Sequence, residues 1–240
     1  MQLIRGLHNI RLEDHGCVLT IGNFDGVHLG HQEVLKALVA KAKANNTIAA
    51  VMVFEPQPQE FFAKQDSPAR LMRFRDKYNL LKLLGVQRLI CINFNADFAK
   101  LSAEFFIENL LVQRLGVQHL IVGDDFCFGK SRRGNYEMLK QFGLRHKFSV
   151  SDTTSFKMSD CRISSTAIRK ALEKDDLSHA EQMLGRAYSV LGRVVHGEKN
   201  GRKFGFPTAN VLLKRLVSPV AGVYAVSINV NQEQHYGVAN

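Results

Sequence analysis

Short apolar runs recur along the first 152 residues and helical patterns fill the gaps between them, which restricts the chain to few architectures. Cys17–Ile21, 48–54, 88–94 and 119–122 each read as a buried strand, and 148–152 reads as a weaker one. Between them, 31–44 places Val34, Leu35, Leu38, Val39 and Ala42 on one helical face. The stretches 68–84 and 102–115 repeat the pattern, with Leu71, Phe74, Tyr78 and Leu81, then Phe105, Phe106, Leu110 and Leu111. Strand, helix and strand at a spacing of about 30 residues predict right-handed crossovers onto a parallel sheet. Two further helices are expected over 165–174 and Leu177–Leu184.

After Gly185 the texture changes: 188–196 and 223–230 read as strands, and no helical pattern returns. The expected organisation is therefore an α/β unit over 1–185, Rossmann-like with a parallel sheet, and an all-β unit over 186–240. With 45% hydrophobic and 22% charged residues, the composition excludes a disordered or fibrous chain. No apolar run approaches the roughly 20 residues of a membrane span, and the first residues lack a secretory h-region. Cys17, Cys91, Cys127 and Cys161 lie far apart, with no Cys-x-x-Cys pair. The expectation is a soluble cytoplasmic protein with reduced thiols.

The balance of 32 basic and 22 acidic residues, +10, favours anionic partners. The basic residues form no long run, so a nucleic acid is not specified and small phosphorylated molecules serve equally well.

The first strand runs into Gly22-Asn23-Phe24-Asp25-Gly26-Val27-His28-Leu29-Gly30-His31, and a helix follows. A glycine-rich turn between the first strand and first helix of a parallel sheet sets free backbone amides and the helix dipole at one edge, where anions bind. The spacing is neither a Rossmann G-x-G-x-x-G nor a P-loop. His28 and His31, three residues apart, can present both imidazoles to one ligand, and Gly30 permits close approach. Zinc is the competing reading for the pair, but no third ligand stands out. Later, Ile163-Ser164-Ser165-Thr166-Ala167-Ile168-Arg169 opens a helix with hydroxyls able both to cap it and to donate to phosphate. Arg162 and Arg169 can add charge-assisted contacts.

Together these two segments resemble the His-x-Gly-His and I-S-S-T-x-I-R signatures of the nucleotidyltransferase superfamily. Phe54-Glu55-Pro56-Gln57-Pro58, 123–130 and the stretch Gly201-Arg202-Lys203-Phe204-Gly205-Phe206-Pro207-Thr208-Ala209-Asn210 narrow the resemblance further. They look like the bacterial bifunctional riboflavin kinase/FMN adenylyltransferases, or FAD synthetases, and the match follows motif order along the whole chain.

That resemblance implies FAD biosynthesis. The first unit would transfer AMP from ATP to FMN, giving FAD and pyrophosphate, and the second would phosphorylate riboflavin with ATP. By motif, His28 and His31 would be catalytic, with Gly22, Asn23, Phe24, Asp25, Gly30, Arg162, Ser164, Ser165, Thr166 and Arg169 around the ATP phosphates. Pro56, Pro58, Phe62, Asp125 and Phe128 would bind flavin. Cys127 departs from the Arg often found at its place. Gly197, Gly201, Gly205, Thr208 and Asn210 would serve the kinase site, with Mg²⁺ held by Thr208 and Asn210. The family's kinase domain continues beyond the residues present here, so adenylyl transfer without riboflavin phosphorylation is the expectation. Small-molecule substrates, no nucleic acid and no membrane complete the reading. The alternatives are a nucleotidyltransferase with another phosphorylated acceptor and a non-catalytic nucleotide or nucleic-acid binder.

Overall fold

The computed structural model describes residues 1–153, 163–197, 205, 208–213, 217–231 and 233–240. Six strands make one wholly parallel sheet: β1 (Gln2–Arg5), β2 (Cys17–Ile21), β3 (Ile48–Glu55), β4 (Arg88–Asn93), β5 (Val117–Val122) and β6 (Ser149–Asp152). Their order is β1-β4-β3-β2-β5-β6. Every residue of β2 is buried, because a central parallel strand is covered on both faces. Alternation along the strands divides the core into two layers. Cys17, Leu19, Ile21, Ala50 and Met52 face one side, and Val18, Ala49, Val51 and Val53 the other.

The helices follow as α1 (Leu29–Ala44), α2 (Pro58–Ala63), α3 (Phe74–Leu83), α4 (Ala96–Ala99) and α5 (Ala103–Phe105), which runs on as π-helical turns over Phe106–Arg114. Then come α6 (Tyr136–His146), α7 (Ser165–Glu173) and α8 (Leu177–Leu184). Leu35 and Leu38 of α1 with Leu81 of α3 cover one face of the sheet. Phe106, Ile107, Leu110 and Leu111, with Leu139 and Phe142 of α6, cover the other. A third cluster joins Ile168, Ala171 and Leu172 of α7 to Ala180, Met183 and Leu184 of α8, and Leu71 packs into it. The chain winds from β2 outward through β3, then crosses back to β5 on the opposite side. The carboxyl end of β2 is therefore the switch point where α/β sheets bind ligands.

Two expectations change in extent. The helix read over 68–84 is confined to α3, because the preceding backbone is drawn into contacts with Asp25. The strand read over 188–196 is confined to β7 (Arg193–Val195), and Tyr188 packs instead against the α7–α8 cluster. After residue 185 the described elements are all strands. β7 pairs antiparallel with β8 (Asn210–Leu212), and β9 (Tyr224–Val230) with β10 (Glu233–Ala239). The second unit touches the first where Arg73 Nη1 donates to the Leu191 carbonyl at 2.9 Å. Tyr224 Oη also donates to Asp175 at 2.5 Å.

Candidate active site

The turn after β2 takes three left-handed conformations in four residues: Phe24 (φ 48°), Gly26 (φ 83°) and Val27 (φ 41°). A β-branched residue resists that region, so the turn must be fixed from outside. Three consecutive carbonyls do this. Asp25 O accepts from Ser165 Oγ at 2.9 Å and Gly26 O from Arg186 Nη2 at 2.5 Å. Val27 O accepts from Gln32 Nε2 at 3.0 Å and Arg186 Nη1 at 3.2 Å. Gly26 is also required sterically, since a Cβ there would lie 2.8 Å from Leu71 Cδ1. With its carbonyl lone pairs held by α1, α7 and Arg186, the turn leads into the positive end of α1.

His28 is the N-cap of α1, and its Nδ1 accepts the backbone N–H of His31 at 3.3 Å. Accepting that hydrogen bond requires the Nδ1 lone pair, so the neutral ring carries its proton on Nε2. The His31 ring stacks on His28 at 3.6 Å between centroids and 16° between planes, with Phe24 4.9 Å behind it. Gly30 makes room for this: a Cβ would stand 3.3 Å from His28 Nδ1.

Burial, followed by the neighbouring Arg186 and against the pull of Asp25, lowers the His28 pKa to about 4. Burial, then His28 itself and then Lys77, holds His31 well below the ordinary imidazole value. Both rings are therefore neutral donors at neutral pH. The unfolded chain binds protons at these histidines near pH 6.5, and the folded chain does not until about pH 4 for His28. Stability should therefore fall as pH drops from about 6.5 to 4. Chemical denaturation of wild type and His28→Asn across that window checks this, and the variant should show the shallower slope.

Asp25 and Arg169 depart from the phosphate-binding role the sequence suggested. The Asp25 carboxylate is buried and accepts Leu71 N–H at 3.1 Å and Met72 N–H at 3.3 Å. It also pairs with Arg169 Nη2 at 2.5 Å. Arg169 Nε donates to Ala69 O at 2.6 Å, so the guanidinium ties the motif turn and α7 to the segment before α3. Ser164 is the N-cap of α7, its hydroxyl accepting Ala167 N–H at 3.2 Å, and Ser165 holds the Asp25 carbonyl. These are bracing contacts with the motif turn and with α7 itself. Thr166 at the start of α7 is exposed. Arg162 and Gly201 lie outside the described residues.

Beside this turn lies a half-buried charged group, with one fully buried lysine, that the sequence reading did not single out. Arg70 makes a two-pronged pair with Glu55, at 3.0 and 2.7 Å, and a second pair with Glu60. Glu60 in turn caps α2 through Gln57 N–H at 2.9 Å. Lys77 of α3 is fully buried, and its Nζ has no hydrogen-bond partner among the described residues. The signal for it was legible: Lys77 shares the α3 face of Phe74, Tyr78 and Leu81, an apolar stripe. Arg186 and Gln32 gave no such signal, since their role depends on packing across the chain.

At the carboxyl ends of β3 and β4 the aromatic residues gather. Phe62 is 68% exposed and meets Phe61 at 5.1 Å and Phe94 at 5.7 Å, edge to face. Phe94 continues to Phe54 and Phe98. Pro58 is the first residue of α2 and Pro56 is exposed beside it. Phe128 is placed differently: it is buried in the core against Phe106 at 5.2 Å, with Phe126 stacked at 5.5 Å. Asp125 is exposed, and a Cβ on Gly123 would lie 2.7 Å from its Oδ1.

In the second unit Asn210 opens β8 and Thr208 lies two residues before it, both exposed. The Asn210 amide lies against Gly197, where a Cβ would come within 2.3 Å of Nδ2. Gly205 has φ +79° and open space around it. Among the described residues no cluster of three or more His, Cys, Asp or Glu side chains could hold a metal ion. No helix there is long and apolar enough to cross a membrane.

The comparisons with known proteins agree with the motif order. The family model for FAD synthetase matches residues 10–167, and that for riboflavin kinase matches 184–240. The bifunctional riboflavin kinase/FMN adenylyltransferase of Haemophilus influenzae is 52% identical over all of this chain and 78% of its own length. The protein of the same name from Escherichia coli is 49% identical, over 100% and 77%. A crystal structure described as a macrolide-efflux protein from Streptococcus pneumoniae superposes with a TM-score of 0.82 at 27% identity, covering 99% of this chain and 78% of that one. With the switch-point turn, the histidine pair and both domain matches in one order, the chain belongs to the family of bifunctional riboflavin kinase/FMN adenylyltransferases.

Proposed function

We propose that the FAD-forming half of this family's chemistry runs at the carboxyl end of β2. The observation that carries this is the stacked, neutral His28–His31 pair on the first turn of α1. In this reading an FMN phosphate oxygen attacks the α-phosphorus of ATP. The new P–O bond forms as the bridge to the β-phosphate breaks, and pyrophosphate leaves. No protein nucleophile is needed, so the residues position the phosphates and stabilise developing charge. His28 donates through Nε2–H, the α1 amides face the triphosphate, and the Thr166 hydroxyl approaches from α7.

The Phe62 face supplies the wall for the isoalloxazine ring, with Pro56 and Pro58 at its edge. Phe62→Ala should raise KM for FMN by about threefold to tenfold and leave KM for ATP unchanged, with little loss of stability because the ring is exposed. Steady-state kinetics with each substrate varied in turn checks the split.

Mg²⁺ fits the donor chemistry of the second unit. The Thr208 hydroxyl and the Asn210 side-chain oxygen are hard, exposed donors suited to it; Gly197 lets the Asn210 amide pack against the backbone, and Gly205 has open space around it. Held there, the ion would supply positive charge that offsets the phosphate charge. In this reading the net charge of +10 serves small phosphorylated substrates in the cytoplasm and no nucleic acid. Incubation with ATP, Mg²⁺ and FMN, followed by chromatography for FAD and pyrophosphate, tests the function directly. Absence of FAD rejects it.

A further inference from the structure

We infer that Lys77 is a positioning residue for adenylyl transfer: its ammonium balances a group of buried and half-buried carboxylates beside the motif turn and so keeps His31 and His28 as neutral donors. The inference rests on the site reading above.

A lysine that is fully buried with no hydrogen-bond partner among the described residues is costly, and it persists where its charge has counterparts. Its surroundings supply them from every side. Burial is the largest influence and, with Arg70, holds the Lys77 pKa below the ordinary lysine value, while Glu55 from the end of β3, Asp25 from the motif turn and Cys91 from β4 act to keep the ammonium. Glu60 of α2 and His31 of α1 feel the Lys77 charge in turn. His28 and Arg186 lie one step further, through His31 and the Gly26 carbonyl. Cys91 is held in its neutral thiol form by burial.

The pairing within this group leaves a remainder. Arg169 answers Asp25, and the single guanidinium of Arg70 answers both Glu55 and Glu60. Among the groups that pair with one another, three carboxylates face two guanidiniums, and Lys77 is the buried cation that supplies the third positive charge; the bonds of Arg186 go to the Val27, Leu184 and Gly26 carbonyls. Without Lys77 the net negative charge would draw a proton onto the nearest basic group. His31 is the imidazole that feels the Lys77 charge, and its Nδ1 is sealed from solvent with no partner among the described residues. A protonated His31 would repel protonation of the stacked His28 and present a different donor pattern to the triphosphate. A net anion under the site would also repel ATP.

Lys77→Met keeps an unbranched side chain one atom shorter and removes the charge. Nuclear magnetic resonance titration of the imidazole carbons should show His31 titrating higher in this variant by about one pH unit. A unit charge acting over roughly 10 Å at an effective dielectric near 20 gives a shift of that size in general. The acidic limb of the kcat/KM profile for ATP should move upward with it. Adding Glu55→Gln to Lys77→Met removes one carboxylate, and the His31 titration should return toward wild type. A folded Lys77→Met protein whose His31 titration and pH profile match wild type overturns the inference, as does failure of Glu55→Gln to reverse the shift.

The unmodified protein gives an answer even if both variants fail to fold. With lysine and histidine labelled, the His31 signals should shift in the alkaline range together with those of Lys77 as that ammonium loses its proton. Titration of Lys77 with no response at His31 refutes the coupling. These titrations need no turnover, so they stand apart from the FAD assay: wild type that makes no FAD rejects the function, and uncoupled titrations reject this role alone.

Discussion

His28→Ala should slow FAD formation by about 10²–10³-fold while leaving KM for FMN near its wild-type value. The ring does two things at once. Its Nδ1 closes the first turn of α1, and its Nε2–H is the donor left for phosphate. Loss of the cap alone should cost about 0.5–2 kcal/mol of stability. A slow variant is therefore ambiguous until the two roles are separated.

Two further substitutions separate them. Asparagine is among the preferred N-cap residues, and its amide reaches where Nδ1 sits but not where Nε2 sits. His28→Asn should match wild type in thermal stability and His28→Ala in turnover. Glutamine extends to the Nε2 position and caps poorly, so His28→Gln should be less stable yet recover part of the rate. Thermal melts beside single-turnover rates decide the matter. If His28→Asn turns over like wild type, the imidazole matters as a cap and the donor role is wrong.

What the sequence disclosed and what it withheld divide along a physical line. β2, β3 and β4 were legible because parallel central strands are apolar on both faces, as Val18 and Leu19 are. β1 was not read, since of its four residues only Ile4 is buried and the strand lies at the sheet edge. α6 was missed because its buried face rests on Leu139, Phe142 and Gly143, a short stripe among charged residues.

In the site, the motif positions were legible but two directions were not. Asp25 and Arg169 are polar residues beside a phosphate-binding motif, and nothing local tells whether such a side chain faces outward or into the protein. The partners that turn them inward, Leu71 N–H and Ala69 O, lie 46 and 100 residues away in sequence. Phe128 and Phe62 show the same limit in apolar form. One fills the core and the other stands exposed, and composition cannot distinguish them.

Asp25→Ala should be the most damaging change to stability among the motif residues, about 3–5 kcal/mol, the cost of leaving a partly buried cation without its partner. Such a loss corresponds to a Tm lower by about 6–20 °C for a protein of this size. The reason lies in what each partner loses. Removing the carboxylate strips Arg169 of its ion and leaves the Leu71 and Met72 N–H groups without their acceptor in a buried setting. Removing the guanidinium by Arg169→Ala leaves the carboxylate with those same two backbone N–H donors, which still stabilise its charge. The second change should therefore cost less than the first. The double variant should cost less than the two single changes added together, because the unpaired charge is then gone. The same brace holds the segment before α3 against the motif turn, so Asp25→Ala should also lower FAD formation even at temperatures where the protein stays folded. Denaturant titration of the three variants, with activity measured well below each Tm, tests both statements. Equal losses for Asp25→Ala and Arg169→Ala, with strict additivity, would show that the pair does not act as a unit.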